Sequence, residues 1–271
     1  MKNIDKATVD GFGREWRSFD QSALSDDDAR SMFSDYFSMF DFTDLGEGFD
    51  LGCGSGRWAR LVAPHCKLLH CIDPSDAIDV ARSNLADRQN VIFHRASADD
   101  IPLQDNSQDF AYCLGVLHHI PDPEAALRNA VAKLKRGGQF LLYIYYRFDN
   151  RPGWFRALWR LSDLGRRVIS ILPFAARKGA AGLIAASIYL PLSRLALLIE
   201  KAGRNPSSIP LNWYRSKSFY TMRTDALDRF GTRLEHRFTR AEIQAMMERC
   251  GLRDIRFSDH APFWVAVARR D

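Results

Sequence analysis

From Gly46 to Tyr146 the apolar residues fall into short runs separated by stretches of helical spacing. The runs predict strands at Glu47–Leu51, Leu68–Ile72, Val91–His94, Phe110–Leu114 and Gln139–Tyr146. Helices are expected between them over Arg57–Ala63, Asp76–Ala86 and Pro123–Leu134. Repeated units of this length imply a parallel sheet covered by helices on both faces. Ahead of this block, Ser25 can cap a helix opening on Asp26-Asp27-Asp28, where negative charge favours a helix start. Met32, Phe33, Tyr36, Phe37, Met39 and Phe40 follow at helical spacing. After Tyr146 the alternation stops and a helical segment reaches to about residue 220. Thr239-Arg240-Ala241-Glu242 then starts a helix that ends near Cys250-Gly251. Leu252–Ser258 and Phe263–Ala268 supply two last strands. The expected class is α/β: a seven-stranded, mostly parallel sheet over residues 46–146 and 239–271. A helical cap over 1–45 and a helical insertion over 147–238 complete it.

At 271 residues, 46% hydrophobic and 26% charged, the chain can bury a full core. Its five cysteines are odd in number and contain no C-x-x-C pair, which argues against a disulfide framework or a zinc site. The charged start, Met1-Lys2-Asn3-Ile4-Asp5-Lys6, lacks the apolar stretch of a signal peptide, so a cytoplasmic location is expected.

The overall charge of +5 is unevenly spread. Between Arg147 and Arg223 fourteen Lys and Arg stand against three acids, an excess of eleven that leaves the remainder at −6. Within this basic region residues 152–172 form an amphipathic helix, with Trp154, Leu158, Leu161, Leu164 or Gly165, and Val168 on one side. Arg156, Arg160, Asp163, Arg167 and Ser170 lie on the other. Gly179–Leu192 is a run without charge, shorter than a membrane span and interrupted by Pro191. One reading is a lid whose apolar faces pack on each other and on the sheet domain. A second is an element facing an anionic membrane, which would place the chain peripherally on its inner side. Nucleic acid is disfavoured, because no recognisable binding module or stacking platform accompanies the charge.

The strongest chemical signal is Asp50-Leu51-Gly52-Cys53-Gly54-Ser55-Gly56, between the first strand and a helix. Glycines at alternate positions remove the Cβ atoms that would hold a ligand off the backbone. The turn sits at the carboxyl end of its strand, where α/β sheets bind ligands. A dinucleotide fingerprint would need its third glycine where this chain has Arg57. Asp50 is also a poor neighbour for a pyrophosphate and a suitable one for an ammonium group.

These residues resemble motif I of the class I S-adenosylmethionine (SAM)-dependent methyltransferases, in particular the type 11 (UbiE-like) group, and further pieces follow in order. Asp73 in Cys71-Ile72-Asp73-Pro74-Ser75 resembles the acid that holds the ribose hydroxyls of SAM. Ala96-Ser97-Ala98-Asp99-Asp100-Ile101-Pro102-Leu103 resembles the stretch bordering adenine, with Ser97 where Asp is common. Leu114-Gly115-Val116-Leu117-His118-His119-Ile120 resembles the segment lining the methionine end. Leu134-Lys135-Arg136-Gly137-Gly138 resembles the turn into the fifth strand, with Arg136 replacing Pro. The resemblance implies a Rossmann-like fold and a SAM site at Asp50, Gly52, Gly54, Gly56, Asp73, Ser97, Ala98 and Leu114. It implies methyl transfer, with S-adenosylhomocysteine (SAH) as product, to a small or lipid-like acceptor, most readily on oxygen or nitrogen. The alternatives are a SAM-binding, membrane-associated protein without catalysis and an RNA methyltransferase.

Methyl transfer needs the acceptor held in line and, for a hydroxyl, a base. His119, and after it His118, are the candidates; a purely structural histidine pair is the competing reading. Tyr143, Tyr145 and Tyr146 on the fifth strand either face the acceptor or pack between sheet and helix. Phe12-Gly13-Arg14-Glu15-Trp16 has the character of a cofactor cover, in which Arg14 could meet the methionine carboxylate. No [ND]-P-P-[FYW] follows the fourth strand, Cys113 follows tyrosine and not proline, and no convincing metal cluster appears. A nucleobase amine, a cytosine C5 and a metal-assisted catechol are therefore not the expected acceptors.

Overall fold

A computed structural model describes residues 3–21 and 23–271. Its contacts separate two compact units: Met1–Gln21, Phe33–Asp149 and Leu234–Asp271 form one, and Ser22–Met32 with Asn150–Arg233 the other.

The first unit is built on a seven-stranded sheet. Its strands are β1 (Leu45–Leu51), β2 (Cys66–Ile72), β3 (Val91–His94), β4 (Gln108–Leu114), β5 (Leu134–Tyr143), β6 (Leu252–Phe257) and β7 (Val265–Arg270), in the order β3-β2-β1-β4-β5-β7-β6. β1 to β5 run parallel, and β7 pairs antiparallel to both β5 and β6. The strand order reverses between β1 and β4, where ligands enter sheets of this kind. Phe49, Phe110, Tyr112, Phe140 and Leu142 are fully buried, as strands covered on both faces require.

The helices of this unit are α1 (Lys6–Ser18), α3 (Ala59–Val62), α4 (Ala77–Asn84), α5 (Pro123–Lys133) and α10 (Arg240–Arg249). α10 opens on the capping box read from the sequence: Thr239 Oγ1 accepts from the Glu242 N–H, and Glu242 accepts from the Thr239 N–H. β5 starts five residues before its expected position, because Leu134 already pairs with Gln108 across the Gly137-Gly138 turn.

α2 (Asp26–Phe37) contributes its first half to the second unit and its second half to the first. Ser25 Oγ caps it, accepting from the Asp28 N–H at 3.2 Å. Phe37 packs edge-on against Tyr112 at 5.4 Å.

The second unit is helical: α6 (Gly153–Ile169), α7 (Phe174–Ile184), α8 (Leu190–Lys201) and α9 (Phe219–Gly231). Two expectations change here. First, α6 is turned the opposite way from a lid that buries its apolar stripe. Its inner side carries Arg166, 7% exposed, which meets Asp163 at 2.7 Å and the carbonyls of Thr232 and Arg233 at 2.9 and 3.0 Å. Three inward hydrogen bonds from a buried guanidinium fix that face, since leaving any of these groups unpaired would be costly. The apolar stripe from Trp154 to Val168 is consequently left 46–65% exposed.

Second, Pro191 does not end the following helix. A π turn at Ala185–Tyr189 joins α7 to α8, so one helix runs Phe174–Lys201 over 28 residues. Proline lacks an N–H and crowds the carbonyl four residues back, and the wider π turn absorbs both defects. By length and by a mean hydropathy of 1.8 over its most apolar stretch, this helix is sufficient to cross a membrane.

Candidate functional site

The loop after β1 is anchored from two sides. The N–H groups of Gly52 and Cys53 donate to the Ile72 carbonyl at 2.7 and 3.1 Å, and the Gly54 N–H donates to Asp73 Oδ2 at 3.0 Å. Gly52 and Gly54 have φ of +77° and +53°, in the left-handed region. A Cβ on Gly52 would lie 2.4 Å from a Val116 methyl, and one on Gly54 would lie 3.0 Å from the Trp16 indole nitrogen. Bare backbone is therefore required twice, against the segment after β4 and against α1.

Asp73 is almost fully buried at the end of β2. Its Oδ1 accepts from the Ser75 N–H at 2.8 Å and the Ser75 hydroxyl at 2.6 Å, while Oδ2 accepts from Gly54. Burial raises its pKa, and the hydrogen bonds from Ser75 and Gly54 pull it back. Three donors leave Oδ2 able to accept one more. Asp50, on β1 and 1% exposed, is costlier still. Burial pushes its carboxyl well above the usual range, the hydroxyl of Tyr112 opposes that shift, and the nearby Asp73 adds to it. Its Oδ2 has no hydrogen-bond partner. A cation or a donor brought against this oxygen would offset the cost of burying it.

The other residues expected at a SAM site belong to the same unit. Leu114 closes β4, Ala98 is buried with its carbonyl accepting from Asn129, and Ser97 is partly exposed beside it. α1 lies across the loop: Gly13 fits against Ser75 and Asp76, Trp16 against Gly54, and Phe12 against His119 with ring centroids 5.0 Å apart. Arg14 is on its exposed side.

The structure separates the roles of the two histidines. His118 is fully buried, and its Nδ1 accepts from the Tyr145 N–H at 3.3 Å, which places its proton on Nε2. Its ring stacks on Tyr145 at 3.8 Å. Burial, reinforced by His119, Arg237 and His236, holds its pKa well below the usual value of 6.5. A neutral ring whose basic nitrogen is occupied by the backbone is not a base, so His118 does not fit the role the sequence offered it. His119 has the opposite tautomer. Its Nδ1 lies 2.7 Å from the Leu234 carbonyl, which can only accept, so Nδ1 carries a proton and in the neutral ring the lone pair is on Nε2.

Because His118 stays neutral when folded and takes up a proton when unfolded, stability should fall as pH drops below about 6.5. His70 and His94 shift in the same direction through burial and add to the slope. The urea midpoint should therefore be lower at about pH 5 than at about pH 7.5, and His118→Asn should shrink that difference. An undiminished difference in the variant would contradict the assignment.

Sequence reasoning missed the segment that carries the Leu234 carbonyl. Residues 234–238 belong to the sheet unit and not to the insertion. The His236 N–H donates to the His118 carbonyl at 2.8 Å, the Phe238 N–H to the Tyr145 carbonyl at 3.0 Å, and Tyr146 bridges to Phe238. Arg237 and Glu235 form a buried ion pair at 2.7 Å, and Arg237 sits 4.9 Å over the Tyr145 ring. The period-two alternation Leu234, His236, Phe238 against Glu235 and Arg237 is the signal of an extended segment, which among the described residues pairs only through the single bridge at Phe238. Of the three tyrosines, Tyr145 joins the histidine cluster, Tyr143 packs edge-on against Tyr36, and Tyr146 packs against Phe148 and Phe263. Among the described residues no group of three or more His, Cys, Asp or Glu could hold a metal ion.

Residues 49–142 match the family model of the methyltransferase domain. The ubiquinone biosynthesis O-methyltransferase of Coxiella burnetii is 32% identical over 92 residues, covering 33% of this chain and 39% of that protein. The 27-O-demethylrifamycin SV methyltransferase of Amycolatopsis mediterranei is 29% identical over 131 residues, covering 45% and 47%. The chain thus spans less than half the length of these curated relatives. A crystal structure of a SAM-dependent methyltransferase from Thermotoga maritima superposes with a TM-score of 0.51 at 16% identity, covering 97% of this chain and 100% of that one. At that identity the match concerns the fold.

Proposed function

Since the chain belongs to the class I SAM-dependent methyltransferases, we propose that it transfers a methyl group from SAM to a small or lipid-like acceptor, on oxygen or nitrogen. The observation that carries the reading is the anchored loop: a buried carboxylate at Asp73 with accepting capacity left, beside a carboxylate oxygen of Asp50 without a partner. These fit the ribose hydroxyls and the ammonium group of SAM, and bare glycines allow the approach. SAM supplies the methyl group and its own leaving group, so the chain's part is to bind, to align and to handle a proton. Asp50, Gly52, Gly54 and Gly56 hold the methionine side, Asp73 the ribose, and Ser97, Ala98 and Leu114 border the adenine and the thioether. His119 takes the acceptor proton at Nε2, held in that tautomer by the Leu234 carbonyl. His118 supports it by packing.

The test is transfer of label from methyl-labelled SAM in the presence of purified protein and cell extract. Label in the organic phase supports a lipid-like acceptor, and label in water-soluble small molecules supports a polar one. Label in an RNase-sensitive fraction would replace this reading with RNA methylation. Absence of transfer in every extract, with SAM binding intact, would replace it with a non-catalytic SAM binder.

A further inference from the structure

The helical unit holds an unusual concentration of exposed apolar side chains. Of the thirteen large hydrophobic residues that stand exposed among the described residues, eleven lie between Trp154 and Leu198. Singly exposed leucines are ordinary, but so many along two helices of one unit are a mark of an interaction surface. On α6 Trp154, Leu158, Leu161 and Val168 fall near one line at about 100° per residue. Leu161 and Val168 on that line are 65% and 63% exposed. Along the long helix the π turn adds one residue. Leu195 and Leu198 therefore sit about three and four turns beyond Leu183, on its own side. These three are 73%, 48% and 64% exposed.

Charge selects the occupant. Arg156, Arg160 and Arg167 are exposed on α6, on the side away from the centre of its stripe with Arg160 nearest to Leu164 at the stripe's edge, within a region carrying eleven positive charges in excess. We propose that α6 and the α7–α8 helix form a docking face for an anionic lipid bilayer, with the leucines entering the acyl boundary and the arginines meeting headgroup phosphates. Arginine stems reach from an embedded stripe to the headgroups, and Trp154 has the amphipathic ring suited to that depth. A second copy of the chain would oppose one basic face to another, which repulsion disfavours. A spanning arrangement is disfavoured by the other side of the long helix. There Ala181, Ala185, Tyr189 and Ala196 are buried, and Ser193 Oγ contacts Met222 Sδ of α9 at 3.9 Å. α9 carries Arg223, Asp225, Asp228 and Arg229, which insertion would drag into hydrocarbon. The helix is therefore half-embedded in the surface. This inference stands independently of the methyl-transfer reading, since vesicle binding needs neither SAM nor an acceptor.

The experiment is sedimentation of the full chain with vesicles of equal parts phosphatidylglycerol and phosphatidylcholine, or of phosphatidylcholine alone. The protein should pellet with the anionic vesicles and bind neutral ones at least about tenfold more weakly, with affinity falling as salt rises. Leu161→Asp should lower binding about tenfold or more, and Arg156→Glu with Arg160→Glu should lower it and flatten the salt dependence. Ile92→Asp, at an exposed position of the sheet unit, should bind as the native chain does. Unchanged thermal melting of the variants separates docking from folding. The proposal is overturned if the native chain stays in the supernatant, or if Leu161→Asp binds undiminished. It is also overturned if attachment resists an alkaline carbonate wash, or if sedimentation velocity shows a dimer that Leu161→Asp dissociates.

Discussion

Replacing His119 with alanine should lower kcat by about a hundredfold or more while leaving SAH affinity within about twofold of native. The expectation follows from one hydrogen bond. The Nδ1–H donates to the Leu234 carbonyl with nitrogen and oxygen 2.7 Å apart, which leaves Nε2 to carry the lone pair of the neutral ring, only 5% exposed. A positioned imidazole in that tautomer is the usual means of removing a hydroxyl proton as a new bond forms. Added imidazole should restore part of the activity to the alanine variant, an effect that loss of packing alone would not produce. The matched change at His118 should behave differently, because its Nδ1 is occupied by the Tyr145 N–H. His118→Asn should mainly lower stability. A loss below about tenfold at His119, with no rescue, would remove the base and point to an acceptor that arrives deprotonated.

Replacing Asp73 with alanine should weaken SAM and SAH binding on the order of a hundredfold. A hydrogen bond to a charged acceptor contributes about 1.5 to 3 kcal/mol, or roughly ten- to a hundredfold in affinity. The carboxylate also holds the Gly54 N–H at 3.0 Å and both donors of Ser75, so its loss releases the loop as well. Asp73→Asn separates the two effects. Its amide oxygen can still accept from Gly54, while its NH2 group faces the Ser75 donors. The asparagine variant should therefore melt closer to native than the alanine variant and bind SAH with an affinity between the two, because a neutral amide oxygen accepts more weakly than a carboxylate.

Much of the sheet was legible because its strands obey a local rule. Val91–His94 was placed to the residue, and Phe110–Leu114 and Leu68–Ile72 lost only their first two residues, Gln108-Asp109 and Cys66-Lys67. Those residues pair through their backbones, which side-chain pattern does not report. The glycine loop was legible for a related reason: its three positive φ values permit few residue types other than glycine. What escaped was long-range. The tautomers of His118 and His119 depend on a carbonyl at Leu234 and an N–H at Tyr145, distant in sequence from the pair. The amphipathic pattern of α6 was plain, but which side faced inward depended on Asp163 and Arg166 finding Arg229, Thr232 and Arg233. Pro191 misled because a proline predicts a break only where the helix before it keeps α-helical spacing.

The measurement that tests the central claim most directly is calorimetric titration of the native chain and of Asp73→Ala with SAH, with NAD as the control ligand. The account predicts one SAH site on the native chain, an affinity lower by about two orders of magnitude in the variant, and no comparable heat from NAD. Equal SAH affinity in the two proteins, or NAD bound as tightly as SAH, would contradict the assignment of the loop.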